Sequence, residues 1–214
     1  MLTVPLGILK LAPGDKGAIQ FDPPLPPEKV KALDKLDMGE VIRVVLQFHE
    51  RFWENIRPNS KNTLANMSFL FSEDDWFPTW WTTMPEKYPI ITGWAPFLSG
   101  RRLSGRDRSF VTQKAIQSLA PALGVNLEIV ERSLEGAYVH DWQSDPFSRG
   151  AYSYGKVGAG EAQQILARPL EDTLFFAGEA TDISGNNGTV HGAIASGKRA
   201  ADEILKTRRP AHSQ

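Results

Sequence analysis

The sequence predicts a mixed α+β (α/β) fold in two parts, a mixed sheet with helices and then a strand–loop–helix piece. Three observations predict it. Short apolar, β-branched runs separated by turn residues recur up to about residue 144. Among them, one run at Phe110–Leu123 has a helical period. Beyond residue 145 a glycine- and tyrosine-rich stretch precedes a short apolar run, a polar glycine loop and a long amphipathic helix. The expected division is 1–144, 145–207 and a polar tail over 208–214.

Taken in order, Leu2 to Lys10 reads as strand and turn with no lead-in, as if cut from a longer chain. Pro23-Pro24-Leu25-Pro26-Pro27 is a stiff segment leading into a short helix, with Val30, Leu33 and Leu36 on one face and Gly39 as the stop. Val41–Phe48 reads as a strand buried on both faces. Met67–Phe71, Ile90–Trp94, Leu127–Val130 and Tyr138–Trp142 read as further strands. In the helix at Phe110–Leu123, Val111, Ala115, Ile116 and Leu119 share a face and Gly124 ends it. Leu174–Ala177 is a short buried strand ended by Gly178-Glu179, and Asp182–Gly188 is a polar loop. The helix Thr189–Leu205 is expected to turn Val190, Ile194, Ala201, Ile204 and Leu205 inward and Lys198, Arg199, Asp202 and Glu203 to water. Its small residues Gly192, Ala193 and Gly197 would admit a close backbone or a flat ligand.

Composition narrows the function classes. The 214 residues, 41 % hydrophobic and 23 % charged, can bury an ordinary core. A net charge of −1 favours neither nucleic acid nor an anionic membrane. No apolar run approaches the roughly 20 residues of a membrane span. Without cysteine there is no disulfide, thiolate nucleophile or thiolate metal site, which fits a cytoplasmic setting. The four histidines lack metal-ligand spacing, so no metal is expected. Two phosphate motifs fail. Gly192 to Lys198 fits G-x-x-x-x-G-K but continues with Arg199, and Gly158-Ala159-Gly160 lacks its last glycine because Gln163 stands there. The strand, Gly178-Glu179, loop and helix remain. The helix start suits an electron-rich oxygen, and Glu179 suits hydroxyl groups; the same residues also read as an ordinary capped loop.

Four collinear blocks carry a resemblance. These are Val4–Lys10; Phe21–Pro26 with Gly39, Phe48 and Phe52-Trp53; Trp142 with Asp145–Tyr154; and Leu174–Thr181 with Gly188–Ala193 and Ser196-Gly197. In this order they resemble the flavin amine oxidase family of monoamine oxidases, polyamine oxidases and flavin-dependent histone demethylases. The resemblance implies a substrate-binding mixed sheet followed by the C-terminal strand–loop–helix piece of an FAD-binding, Rossmann-like domain. It also implies oxidation of an amine Cα–N bond by hydride transfer to flavin, with O₂ reduced to hydrogen peroxide.

By the same resemblance Lys10 holds a water against flavin N5. Trp142 packs beside the flavin, and Tyr152 and Tyr154 line the cavity in front of it. Gly178, Gly188 and Thr189 lie in the closing FAD motif, Glu179 binds the cofactor's sugar-like chain, and the Val190 N–H meets the N1/O2 edge. Ala151 stands near the flavin-linked cysteine of monoamine oxidases, so FAD would be noncovalent. Thr189 replaces a cage tyrosine of many members, which opens the choice of amine. The N-terminal G-x-G-x-x-G unit that grips the ADP half is missing, so FAD binding is expected to be weak or absent. The expected partners are a small-molecule amine and either the missing N-terminal FAD-binding part or a second copy. The alternative is a non-catalytic remnant that binds a protein or small molecule without FAD.

Overall fold

The computed structural model describes residues 1–59 and 61–208; the expected tail beyond Arg208, with His212, lies outside them. In chain order the elements begin with helices α1 (Leu6–Leu9) and α2 (Pro27–Asp34), then strands β1 (Leu36–Met38), β2 (Val41–Phe48), β3 (Phe69–Phe71), β4 (Thr79–Thr82) and β5 (Ile90–Pro96). There follow α3 (Leu98–Leu103), α4 (Arg108–Leu123), α5 (Leu127–Ser133), β6 (Leu134–Val139), β7 (Ser153–Gly155), α6 (Ala162–Ala167) and α7 (Val190–Arg208). The mixed α+β class is therefore observed. The chain divides into two compact units: residues 1–39 group with the segment from 143 onward, and 40–142 form the other. A single cut near residue 144 misses this because the first 39 residues pair with strands and helices far along the chain.

The second unit, 40–142, is a five-stranded antiparallel sheet in the order β3-β4-β5-β2-β6 with helices on one face. Ile42, Val44, Leu46 and Phe48 of β2 point into a core with Trp53, Phe77, Trp80 and Ile91. β2 is not buried on both faces: Arg43 is exposed and Val45 and Gln47 are half-buried, the alternation of a sheet covered on one side. α4 supplies Val111, Ala115 and Leu119 to that core. Asp107 caps its start by accepting from the Phe110 N–H (2.8 Å), and Gly124, at φ 70°, ends it.

Within this unit the expected strands differ in places, the one expected at Met67–Phe71 beginning only at Phe69. Leu127–Val130 lies in helix α5, because an i, i+3 spacing sends Leu127 and Val130 to the same core. The strand expected at Tyr138–Trp142 starts earlier, at Leu134, and ends at Val139. β3, at the sheet edge, leaves Phe69 and Phe71 exposed with their rings stacked 6.2 Å apart.

The first unit holds the short β1–β7 ladder, the helix pair α2 and α6, and α7 against the turn Glu179–Thr181. The expected N-terminal strand reduces to a parallel bridge of Leu2 to Phe176, after which the chain coils into α1. α2 buries Lys29, Ala32 and Leu33 and leaves Val30 exposed. Leu36 belongs to β1, and Gly39 does not stop the helix but continues the ladder, exchanging bonds with Tyr152 and Ala151. Phe175–Ala177 are buried as expected, but among the described residues they form only isolated bridges.

α7 turns a different face from the expected one toward the protein, although Lys198 and Asp202 are exposed as expected and Ile204 is half-buried. Gly192, Ser196 and Ala200 are buried and Arg199 and Glu203 half-buried, while Val190, Ile194 and Leu205 are 73 %, 55 % and 58 % exposed. The reason is proximity. A side chain at Gly192 would collide with the Asn186 backbone, and the Gly178 N–H donates to Ser196 Oγ (3.0 Å), so only small residues fit. Arg199 completes the contact by donating to the Phe176 carbonyl (2.7 Å), the Ala167 carbonyl (3.1 Å) and Thr181 Oγ1 (3.2 Å). Among the described residues no helix is long and apolar enough to cross a membrane.

Candidate functional site

Lys10 follows α1, whose buried Leu6, Gly7 and Ile8 anchor the turn, and it is the helix C-cap rather than a strand end. This placement carries its ammonium to β1. Lys10 Nζ donates to the Leu36 carbonyl oxygen (2.5 Å) and meets Asp37 Oδ1 at 3.4 Å. Asp37 stands opposite Tyr154 in the ladder, and Met38 opposite Ser153. Burial opposes ionisation of Asp37, but the Met38 N–H (3.0 Å), Lys10 and Lys156 (3.5 Å) outweigh it and hold the carboxyl below its usual range.

From β7 the framework continues to Glu179. Its Oε1 accepts from the Ser153 N–H (3.0 Å), and its Oε2 from Ser153 Oγ (2.6 Å) and the Gly188 N–H (2.6 Å). One carboxylate thus ties β7 to the loop that opens α7. Gly188, at φ 73°, takes a conformation that side chains resist, and a Cβ there would lie 3.1 Å from the Ser153 carbonyl. Buried Asp182 shapes the loop by accepting from the N–H groups of Ser184 (3.1 Å) and Asn186 (2.7 Å). Thr189 caps α7: its Oγ1 accepts from the Gly192 N–H (3.1 Å) and donates to the Asn186 carbonyl (2.6 Å). Val190 is the first helical residue, and among the described residues its N–H has no protein acceptor. The positive end of a 19-residue helix therefore opens outward at Val190.

The tyrosines divide. Tyr152 is half-buried, its ring edge against Gly39 and Gly188, and burial pushes its phenol up. Tyr154 is exposed. Lys10, Tyr152, Tyr154, Gly178, Glu179, Gly188, Thr189 and Val190 all lie in the first unit. Trp142 belongs to the second, exposed and edge-on to His140 at 4.2 Å. Among the described residues no group of His, Asp and Glu could hold a metal ion.

Sequence reading missed Asp37, Ser153, Arg199 and Lys29. Lys29, fully buried, donates to the carbonyls of Ile165 (3.0 Å), Leu166 (2.8 Å) and Arg168 (2.6 Å) and sits 4.0 Å from the Phe176 ring centre. Only the Arg199–Glu203 pair carried a signal, an i, i+4 opposite-charge spacing.

The family described as flavin-containing amine oxidoreductase matches residues 1–205, and the chain belongs to that family. Human lysine-specific histone demethylase 2 is 34 % identical over 95 % of this chain and 24 % of its own length. The bovine peroxisomal N(1)-acetyl-spermine/spermidine oxidase is 31 % identical over 96 % of this chain and 42 % of its own. Among solved structures, wild-type putrescine oxidase bound to putrescine superposes with a TM-score of 0.74 at 20 % identity, over 96 % of this chain and 42 % of that one. This last likeness shows the fold. The chain thus spans less than half the length of these relatives.

Proposed function

We propose that the chain is the C-terminal part of an FAD-dependent amine oxidase that oxidises the Cα–N bond of a small-molecule amine. The observation that carries the reading is the single framework Lys10–β1–β7–Glu179–Gly188, which holds a lysine, a tyrosine pair and an open helix start on one short ladder. Bound FAD would supply hydride acceptance and O₂ reduction to hydrogen peroxide, chemistry that side chains lack. The residues fit such a group on two counts: the α7 N-terminus is open, and Gly188 puts no side chain before it.

The chain's own residues would act around the cofactor. The Val190 N–H would stabilise negative charge at the flavin N1/O2 edge. Lys10 would hold a water at N5, and Tyr152 and Tyr154 would border the substrate space. Glu179 keeps loop and ladder together, and with three donors already on its oxygens it has about one lone-pair direction for a cofactor hydroxyl. That commitment favours the second reading, a partner-binding domain without FAD. With Ala151 at the linkage position, binding would be noncovalent. The relatives named as histone demethylase and as acetyl-spermine/spermidine oxidase mark the amine classes to try first.

The test is the Val190→Pro variant. Proline is tolerated at a helix's first position, so the fold should survive while one N–H is lost. FAD titration followed by flavin fluorescence should show saturable binding by the wild-type chain and several-fold weaker binding by the variant. Equal binding by both would remove the helix start from the cofactor site.

A further inference from the structure

We propose that Asp37 is a positioning residue for Lys10: its carboxylate, with the Leu36 carbonyl, fixes where the lysine ammonium lies, and Lys156 holds that carboxylate from its other oxygen. This rests on the amine oxidase reading for its purpose, because a lysine that holds a water at one atom must not wander. The geometry stands on its own. Lys10 Nζ is gripped between Leu36 O at 2.5 Å and Asp37 Oδ1 at 3.4 Å, on consecutive residues of one strand. Asp37 is fixed in turn, since Oδ1 accepts from the Met38 N–H at 3.0 Å and Oδ2 faces Lys156 Nζ at 3.5 Å. An ammonium carries three N–H groups, so among the described residues one remains beyond these two partners.

A structural role alone is a poor account of this carboxylate. Asp37 and Lys10 side chains are 41 % and 24 % exposed, and a pair so placed contributes little to stability. What it adds is direction. A lysine with four rotatable bonds, given a carbonyl and a carboxylate on adjacent strand residues, is confined to one end of the ladder that also presents Tyr154.

The experiment is competitive labelling of the purified chain with a lysine-selective acylating reagent, read by peptide mass spectrometry, with exposed Lys31 as internal reference. It uses no FAD, so its outcome is independent of whether the chain binds the cofactor. Asp37→Asn keeps an acceptor for the Met38 N–H and removes the charge. The Lys10-to-Lys31 labelling ratio should rise roughly two- to fivefold, the range of a partly exposed ion pair, with the thermal midpoint nearly unchanged. A ratio equal to wild type in the folded variant overturns the proposal. Should the variant fail to fold, the wild-type chain decides: high salt should raise the same ratio by screening the pair, and a salt-independent ratio overturns the proposal.

Discussion

Lys29→Met probes the interior stitching that places the site. In the wild type the buried ammonium supplies the donors for three carbonyls at the C-terminus of α6, at 3.0, 2.8 and 2.6 Å, and lies 4.0 Å from the Phe176 ring centre. Methionine keeps most of the volume and none of the donors. A buried acceptor left without a partner costs about 1–3 kcal/mol. Only Leu166 of the three is fully buried, so the low end applies to the other two. The lost ring contact adds about 1 kcal/mol, and relief from burying a charge offsets part of the sum. The net expectation is a loss of about 2–4 kcal/mol, or roughly 5–15 °C in the midpoint of the transition that melts the first unit.

The pH dependence has a definite sign. Burial lowers the Lys29 pKa from 10.5 to about 8, so between those values the unfolded chain binds the proton more readily. The wild type should therefore gain stability relative to Lys29→Met as pH rises from about 8 towards 10.5, and the difference should be flat below 8. The assay is urea unfolding followed by circular dichroism at several pH values, with hydrogen exchange of α6 amides. A loss below about 1 kcal/mol, or a relative stability that falls with rising pH, would refute the reasoning.

Other perturbations act closer to the site. Glu179→Gln weakens a clamp that now accepts from Ser153 twice and from Gly188, so the Gly188 amide should exchange faster and stability should drop by about 1–3 kcal/mol; unchanged exchange would mean another group holds the loop. The exposed Val190, Ile194 and Leu205 stripe on α7 should drive concentration-dependent self-association that Ile194→Glu suppresses, and a clean wild-type monomer by light scattering at high concentration would count against it. Lys10→Met, in a protein reconstituted with flavin, should slow amine oxidation or flavin reoxidation in stopped flow while changing stability by less than about 1 kcal/mol. Near-wild-type rates in both half-reactions would return Lys10 to a structural role.

The sequence showed α4 and α7 as helices because each has a helical period, and Gly124 marks the end of α4; the caps at Asp107 and Thr189 emerge only in the structure. It misjudged which face of α7 is buried, since hydrophobicity marked Val190, Ile194 and Leu205, whereas the close approach of Gly178 and Asn186 admits only glycine, serine and alanine. Leu127–Val130 misled for a related reason, as a short apolar run fits a strand or a helix until its packing partner is known. Glu179 was visible as a residue of interest because it follows a buried run and a glycine. Its partner Ser153 was not, and Asp37 looked like any polar residue, because both act through contacts 26 and 27 positions apart in the chain. Lys29 was hidden most completely, since nothing in a local pattern marks a lysine that caps a helix more than a hundred residues away.

The most direct measurement is anaerobic mixing of the FAD-supplemented chain with candidate amines while the flavin absorbance bands are recorded. The proposed function predicts that the chain is colourless or weakly coloured as purified, that added FAD binds reversibly, and that at least one amine bleaches the bound flavin, with colour returning and hydrogen peroxide appearing on admission of air. FAD that never associates at high excess, or bound FAD that no amine reduces, would contradict the account and leave the chain as a partner-binding domain of an oxidase fold.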